Sequence, residues 1–376
     1  MSAAPAKRAR TILIMAGGTG GHVFPALAVA DWLRDRGWQI VWLGTRSGME
    51  GRLVPERGYP LEHISFAGLR RSGVLRMALL PISLIVACVQ SVRVLLRRRP
   101  DVVLGLGGYA TFPGGLMASL LNRPLAIHEQ NSVAGLTNRV LARLADRVMA
   151  GFPKAFVAAV SGVVAKLLGA PRNVAWVGNP VRAEIAALDE PQVRYAQRKG
   201  ALRLLVVGGS QGAQALNETL PQALALIPRQ ARPHVTHQCG EKNRDSVQAH
   251  YAAQNVEANA VAFLADMANQ YAANDLLICR AGALTVAEIA AAGVASVLVP
   301  YPFAVDDHQT GNARFLSDAG AAVLLPQSEM TPQKLAAVIQ SFSREQLAGM
   351  ATKARALAKA DATELVANTC VNLASV

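Results

Sequence analysis

Twice along this chain an apolar run opens into a glycine-rich turn and then into a helical pattern. Thr11–Ala16 leads into Gly17-Gly18-Thr19-Gly20-Gly21-His22. A helical pattern follows from about Pro25 to Arg36, stops at Gly37, and gives way to a second apolar run, Gln39–Leu43. Leu202–Val207 opens the same way into Gly208-Gly209-Ser210-Gln211-Gly212-Ala213 and a helical stretch through Ile227. Units of this grammar build parallel sheets covered by helices. Two of them, far apart in one chain, predict an α/β protein with two separate doubly wound domains. The length of 376 residues suits two domains of ordinary size, and a hydrophobic content of 52% supplies their cores. Further strands are expected at Val102–Leu106, Leu125–His128, Arg147–Ala150, Leu276–Cys279 and Val297–Val299. Gly178-Asn179-Pro180 should close the first half, because Pro stops a helix or a central strand. Residues 189–200, polar and helical, read as a connecting segment.

Charge is unevenly spread. Residues 1–180 hold 22 Lys and Arg against 8 Asp and Glu, whereas residues 181–376 hold 16 against 17. A one-sided positive field fits an anionic partner for the first half: a membrane surface, a nucleic acid or a phosphorylated substrate. A generally basic proteome would give the same excess. Cys88, Cys239, Cys279 and Cys370 are widely spaced, which argues for reduced thiols and a cytoplasmic setting. The polar-basic start, Met1 to Arg10, has no apolar core of a signal peptide.

Residues 77–92 run without a charge and are flanked by Arg70, Arg71, Arg76, Arg93, Arg97, Arg98 and Arg99. A membrane-spanning helix needs about 20 apolar residues, and Pro81, Ser83, Gln90 and Ser91 interrupt this run. Ser83, Ala87, Gln90 and Arg97 share one helical face and leave a wide apolar face opposite. That pattern suits a helix lying in the bilayer interface, and equally a buried helix whose arginines reach solvent.

A glycine turn at a helix N-terminus offers backbone N–H groups to phosphate. Neither turn ends in the Lys-Ser/Thr pair of a nucleotide triphosphatase. The second strand ends Trp42-Leu43-Gly44-Thr45, without the carboxylate a dinucleotide oxidoreductase would place there. His22 stands at the mouth of the first turn, where an imidazole could deprotonate a hydroxyl, steady a phosphate or simply bond a nearby carbonyl. Gly105-Leu106-Gly107-Gly108-Tyr109 and His128-Glu129-Gln130-Asn131 end two further strands, so their side chains should converge on one crevice. Glu129 is a second base candidate, or the partner of an arginine; Asn131 suits a sugar or phosphate. In the second half, Arg280 to Glu288 runs from a strand end through small residues into a helix. There Glu288 could accept both hydroxyls of a ribose or merely favour the helix start. Gln309 and Asn312, in a polar strand-end loop, suit sugar hydroxyls. No Asp-x-Asp motif and no His/Cys/carboxylate cluster of metal-ligand spacing occurs, so no metal and no cofactor is expected.

Seven motifs in order resemble the MurG family, the peptidoglycan N-acetylglucosaminyltransferases. They are GGTGGHVFPALAVA from Gly17, VVLGLGGYATFPGG from Val102, HEQNSVAGLTNR from His128, VGNPVR from Val177, VVGGSQGA from Val206, CRAGALTVAEIAAAG from Cys279 and DDHQTGNA from Asp306. The resemblance implies two Rossmann-like domains facing a central cleft, the GT-B glycosyltransferase architecture. Residues 1–182 would form the acceptor- and membrane-facing domain and 183–358 the UDP-sugar domain, with a C-terminal helix in 359–376 packing back on the first. It implies inverting transfer of GlcNAc from UDP-GlcNAc to the 4-hydroxyl of MurNAc in undecaprenyl-pyrophosphoryl-MurNAc-pentapeptide (lipid I), giving lipid II and UDP. It also implies a seat on the cytoplasmic face of the bacterial inner membrane, among other cell-wall synthesis proteins.

The family's binding positions fall on Thr19, Gly20, Gly21 and Asn131 in the first half, and on Arg182 at the donor. Ser210 would bind UDP phosphate, Leu264 uracil, Ala283, Leu284, Thr285, Val286 and Ala287 the phosphate region, Glu288 the ribose and Gln309 the GlcNAc hydroxyls. His22, ahead of Glu129, is the base candidate. Residues 160–174 look lengthened relative to the family pattern. Two other readings stay open: a UDP-sugar epimerase or hydrolase of the same fold, against which the 77–99 segment counts, and a nucleic-acid-binding protein. The latter explains the charge, but the basic half lacks interleaved aromatics for base stacking, and no nucleic-acid partner is expected.

Overall fold

The computed structural model describes residues 8–66, 79–157, 171, 173–209 and 212–375. The chain divides into two compact units, residues 1–180 with 361–376, and residues 181–360.

The first unit is built on a seven-stranded parallel sheet. Its strands are β1 (Thr11–Ala16), β2 (Gln39–Gly44), β3 (Leu61–His63), β4 (Val102–Gly107), β5 (Leu125–Glu129), β6 (Arg147–Ala150) and β7 (Val174–Trp176), in the order β3-β2-β1-β4-β5-β6-β7. The sequence of crossovers reverses direction between β1 and β4. Such a switch point leaves a crevice beyond the strands' C-terminal ends, and there open α/β sheets bind ligands. β1 and β4 are buried along their whole length, which is why they read as unbroken apolar runs. Ile12, Ile14, Leu104 and Ala126 face one core, whereas Leu13, Met15, Val103 and Ile127 face the other.

The second unit repeats the plan with six parallel strands: β8 (Arg203–Val207), β9 (His234–Gln238), β10 (Asn259–Val261), β11 (Leu276–Cys279), β12 (Ala295–Leu298) and β13 (Ala322–Leu324). Their order is β10-β9-β8-β11-β12-β13, so the switch point lies between β8 and β11.

One segment differs from its sequence reading. Residues 189–200 are no connector. Their helix, Pro191–Ala196, buries Arg194 and Tyr195 in the second unit. The Arg194 guanidinium donates to the carbonyls of Tyr271, Ala292 and Gly293, and the Tyr195 hydroxyl to that of Asp275. Both residues look solvent-facing by type, yet Arg194 is buried because backbone acceptors satisfy its donors. The helix in the charge-free segment spans Leu80–Arg98. It turns Ala87, Ser91, Val94 and Leu95 inward and packs beside the helix Thr111–Leu120. Ile82, Ile85, Val86, Val89 and Leu96 stay exposed. Its polar face is also engaged: Gln90 Oε1 accepts from Ser65 N at 2.7 Å, and Arg97 and Arg98 both pair with Glu62. Arg70, Arg71, Arg76 and most of the lengthened 160–174 stretch lie outside the described residues.

The last helix, Ala362–Leu373, buries Val366, Ala367, Cys370 and Leu373 in the first unit's core, against the helix Gly20–Arg34.

Candidate active site

Glycines shape the first unit's switch point. Gly17 N donates to Gly107 O at 3.2 Å, tying the turn after β1 to the end of β4. Gly108 adopts φ +90, and a Cβ there would sit 2.4 Å from Gly17 O, so only glycine lets the two turns meet. One buried carboxylate holds them from behind. Glu50, 1% exposed, accepts from Gly18 N at 2.8 Å and from Thr45 N and Oγ1 at 3.0 and 2.8 Å. A Cβ on Gly17, Gly44 or Gly48 would collide with it. It stands near the end of β2, where the strand's own last residues carry no acid. Sequence reasoning missed it, because only the fold brings residue 50 back under residue 18.

The helix Gly20–Arg34 begins directly after the turn, with Thr19 as its N-cap. The Thr19 hydroxyl makes no capping bond at this positive helix end. His22 lies in the first turn, half-buried. Its Nδ1 is 2.8 Å from Gln130 Oε1, and its ring lies where a Cβ on Gly107 would be. Gln130 and His128, at the end of β5, are buried behind it.

Glu129 is placed differently. It is 2% exposed, and its carboxylate accepts from Asn131 N and Nδ2, Gly135 N and Asn138 Nδ2 at 2.9 to 3.3 Å. Those bonds fold the 130–138 loop around it, and Asn131 sits within that loop.

In the second unit the expected donor residues cluster at strand C-terminal ends. Gly208 and Gly209 follow β8, and Gly209 and Gly212 have positive φ. Ser210 lies outside the described residues. Half-buried Leu264 follows β10. After β11 the helix Ala283–Ala292 starts with Gly282 as N-cap. Gly282 has an ordinary φ of −64, so what glycine contributes is a cap with no side chain competing for the amides of Ala283, Leu284 and Thr285. Val286 is turned into the core and can offer only backbone, whereas Ala287 is half-buried. Glu288, in the second turn, is held on two sides. Arg182 donates through Nε and Nη2 to its Oε1 at 3.1 and 2.9 Å, and the Tyr271 hydroxyl donates to Oε2 at 3.0 Å. Burial raises the Glu288 pKa, and Arg182 opposes that shift. The sequence thus named Arg182 and Glu288 separately; the structure pairs them directly and adds a residue it did not name, Tyr271, on the other carboxylate oxygen.

The loop after β12 is pinned by Arg280, which donates to Val299 O and Pro300 O at 3.2 Å and to Gln327 Oε1 at 2.7 Å. Gln309 Oε1 accepts from Tyr301 N at 2.9 Å. Asn312 is fully buried and donates to Ala281 O, so it braces the β11 turn and is withdrawn from any sugar. Among the described residues no group of three or more His, Cys, Asp or Glu side chains is placed to hold a metal ion.

Residues 12–150 match the model of the glycosyltransferase family 28 N-terminal domain, and residues 203–368 that of the family 28 C-terminal domain. The chain is 57% identical to the UDP-N-acetylglucosamine–N-acetylmuramyl-(pentapeptide) pyrophosphoryl-undecaprenol N-acetylglucosamine transferase of Dechloromonas aromatica (strain RCB), over 97% of this chain and 99% of the relative. It is also 57% identical to the transferase of the same name from Ralstonia nicotianae, over 96% of each chain. The crystal structure of Acinetobacter baumannii MurG superposes with a TM-score of 0.83 at 42% identity, covering 96% of this chain and 99% of that one. The fold is that of the GT-B glycosyltransferases. Shared identity of this order along nearly the whole length means that the chain belongs to the MurG family of glycosyltransferases.

Proposed function

We propose that this protein transfers N-acetylglucosamine from UDP-GlcNAc to the 4-hydroxyl of MurNAc in lipid I, releasing UDP and lipid II. The observation that carries this reading is the 57% identity, over 97% of the chain, to a transferase of that name. The switch-point chemistry of both units fits it.

The base is His22. Its Nδ1 is engaged by Gln130, and Nε2 is the nitrogen that takes the proton from the acceptor hydroxyl. The new bond forms from that oxygen to the anomeric carbon, on the face opposite the departing UDP, so configuration inverts. Glu129 has its carboxylate committed to its own loop and serves to shape it. Thr19, Gly20, Gly21 and Asn131 receive the acceptor side.

In the second unit Glu288 takes the ribose hydroxyls, which replace part of its contact with Arg182, and the freed guanidinium turns to the donor phosphates. The amides of Ala283, Leu284 and Thr285, with Ser210 and the β8 turn, stabilise the pyrophosphate charge as it develops, so donor binding needs no cation. Leu264 meets uracil through its backbone, and Gln309 reads the GlcNAc hydroxyls.

The enzyme works as a peripheral protein at the cytoplasmic face of the inner membrane. Ile82, Ile85, Val86 and Val89 enter the interface while arginines at the helix end attract anionic lipid. The Leu80–Arg98 helix reaches spanning length, 19 residues with a mean hydropathy of 1.6. Its bonds through Gln90 and Arg97 to the sheet edge favour lying along the surface.

The test is UDP release from UDP-GlcNAc in EDTA, with and without a lipid I analogue. Release that requires the acceptor and survives EDTA is expected. Release without acceptor would make the protein a hydrolase or epimerase instead. His22→Ala should lower turnover about 10²–10⁴-fold with donor KM little changed; near-normal turnover would remove His22 from the base role.

A further inference from the structure

Behind His22 runs a file of hydrogen bonds that ends on a backbone carbonyl of the Gly178-Asn179-Pro180 segment. Gln130 is 1% exposed and His128 fully buried, so these bonds are shielded from water. Their polarity can be worked out from atoms that have only one role. Gln130 Nε2 lies 3.0 Å from the carbonyl oxygen of His128. A carbonyl only accepts, so this end of the amide is the NH2 group and Oε1 is the end that faces His22. An amide oxygen also only accepts. The hydrogen on the 2.8 Å contact to His22 Nδ1 therefore belongs to the imidazole, and the ring's lone pair is on Nε2.

The far end gives an independent check. Gln130 Nε2 is also 3.0 Å from His128 Nδ1, and its second hydrogen requires a lone pair there. His128 Nε2 is 2.9 Å from Gly178 O, which can only accept, so His128 carries its proton on Nε2 and leaves Nδ1 bare. Two carbonyls at different places thus demand the same arrangement. Burial lowers the His128 pKa, keeping that ring neutral as the arrangement needs. The segment is braced in turn, since Asn179 Nδ2 donates to Gln130 O at 2.9 Å.

We propose that Gln130, backed by His128 and the Gly178 carbonyl, is a positioning residue that holds His22 in its Nδ1–H tautomer and so keeps Nε2 bare to accept the acceptor hydroxyl's proton. The inference rests on the reading of His22 as the base. A neutral amide in this position orients the ring and selects its tautomer without placing the charge of a carboxylate beside it. After proton transfer Nδ1–H stays on Gln130 Oε1, and the new Nε2–H carries the proton away from the acceptor oxygen. Among the described residues no ion pair reaches the His22 ring, and the backbone of Gly107 packs against it.

The first measurement is the tautomer itself, by nitrogen-15 NMR of histidine-labelled full-length protein near neutral pH. His22 should show a protonated Nδ1 and a bare Nε2; a protonated Nε2 in the wild type would overturn the proposal whatever the kinetics. In Gln130→Met the ring should populate both tautomers, and kcat should fall about 10- to 100-fold with KM for UDP-GlcNAc unchanged. Gln130→Glu restores an acceptor and should recover most of that loss, while its charge moves the acid limb of the kcat profile to higher pH. His22→Ala combined with Gln130→Met should be no slower than His22→Ala alone. An additive loss would mean that Gln130 acts elsewhere, and normal turnover in Gln130→Met would end the proposal. Should His22→Ala keep its activity, the base assignment fails, and the NMR result still reports on the hydrogen-bond file separately.

Discussion

Glu50 and Glu288 are both carboxylates held by hydrogen bonds in helices that follow strands, yet their partners differ in kind. Glu50 spends its acceptors on Gly18 and Thr45, all within the protein. Glu288 is held by two side chains, Arg182 and Tyr271. Removing Glu50 would leave two amides and a hydroxyl without partners beneath the first glycine turn. Glu50→Ala should therefore cost about 2–4 kcal/mol of stability, seen as an earlier urea transition of the first unit. A transition unchanged within error would show that water replaces the carboxylate. Residue-scale reading of the sequence found the groups that stand at strand ends, His22, Glu129, Asn131, Arg182 and Glu288. It did not find Glu50, nor a role for Gln130, because each acts on atoms that only the fold brings near. It also ranked Glu129 as a base candidate, since the sequence shows a carboxylate's presence and hides what already occupies it.

At the scale of elements, strands were legible in proportion to their burial. β1, β4, β5, β8 and β11 are covered on both faces and read as apolar runs. The strands that escaped notice lie at or beside sheet edges: β3, β7, β10 and β13 at the edges, and β9 next to one. Each edge strand has only three residues, and β9 carries two histidines and a threonine. Half-covered strands of that length leave no pattern to detect. The Leu80–Arg98 helix shows the same principle from outside. Ala87, Ser91, Val94 and Leu95 face inward, while Ile82, Ile85, Val86, Val89 and Leu96 face away from the unit. Ile82→Glu with Ile85→Glu touches only that outer face, where the two side chains are 60% and 63% exposed. Binding to anionic vesicles should weaken about ten-fold or more, with UDP release on a water-soluble acceptor analogue unchanged. Undiminished cosedimentation would move the membrane face elsewhere on the protein.

Over the whole molecule, acid should act on both units through one buried histidine each. Burial lowers the pKa of His128 in the first unit and that of His237 in the second, the latter to about 4. A depressed histidine contributes stability that is complete above its unfolded value, near 6.5, and is lost as pH falls through the folded one. For His237 this amounts to on the order of 3 kcal/mol. Thermal unfolding should shift downward between about pH 7 and about pH 5. His237→Phe, which keeps a ring against Tyr251 and removes the titration, should flatten the response of the second unit alone. An equal slope in wild type and variant would place the acid sensitivity in other groups.

The return of the helix Ala362–Leu373 to the first unit also sets an order of assembly. Its buried residues, Val366, Ala367, Cys370 and Leu373, are translated only after the whole of residues 181–360. During synthesis the unit that begins the chain must wait with an uncovered apolar face on the helix Gly20–Arg34, while the unit that follows already has all its own strands. Domains ordinarily mature from the N-terminus as they leave the ribosome. In this protein the half carrying His22 is started first and completed last, so nascent chains pass through a stage in which the unit of residues 181–360 is whole and the unit carrying His22 is not.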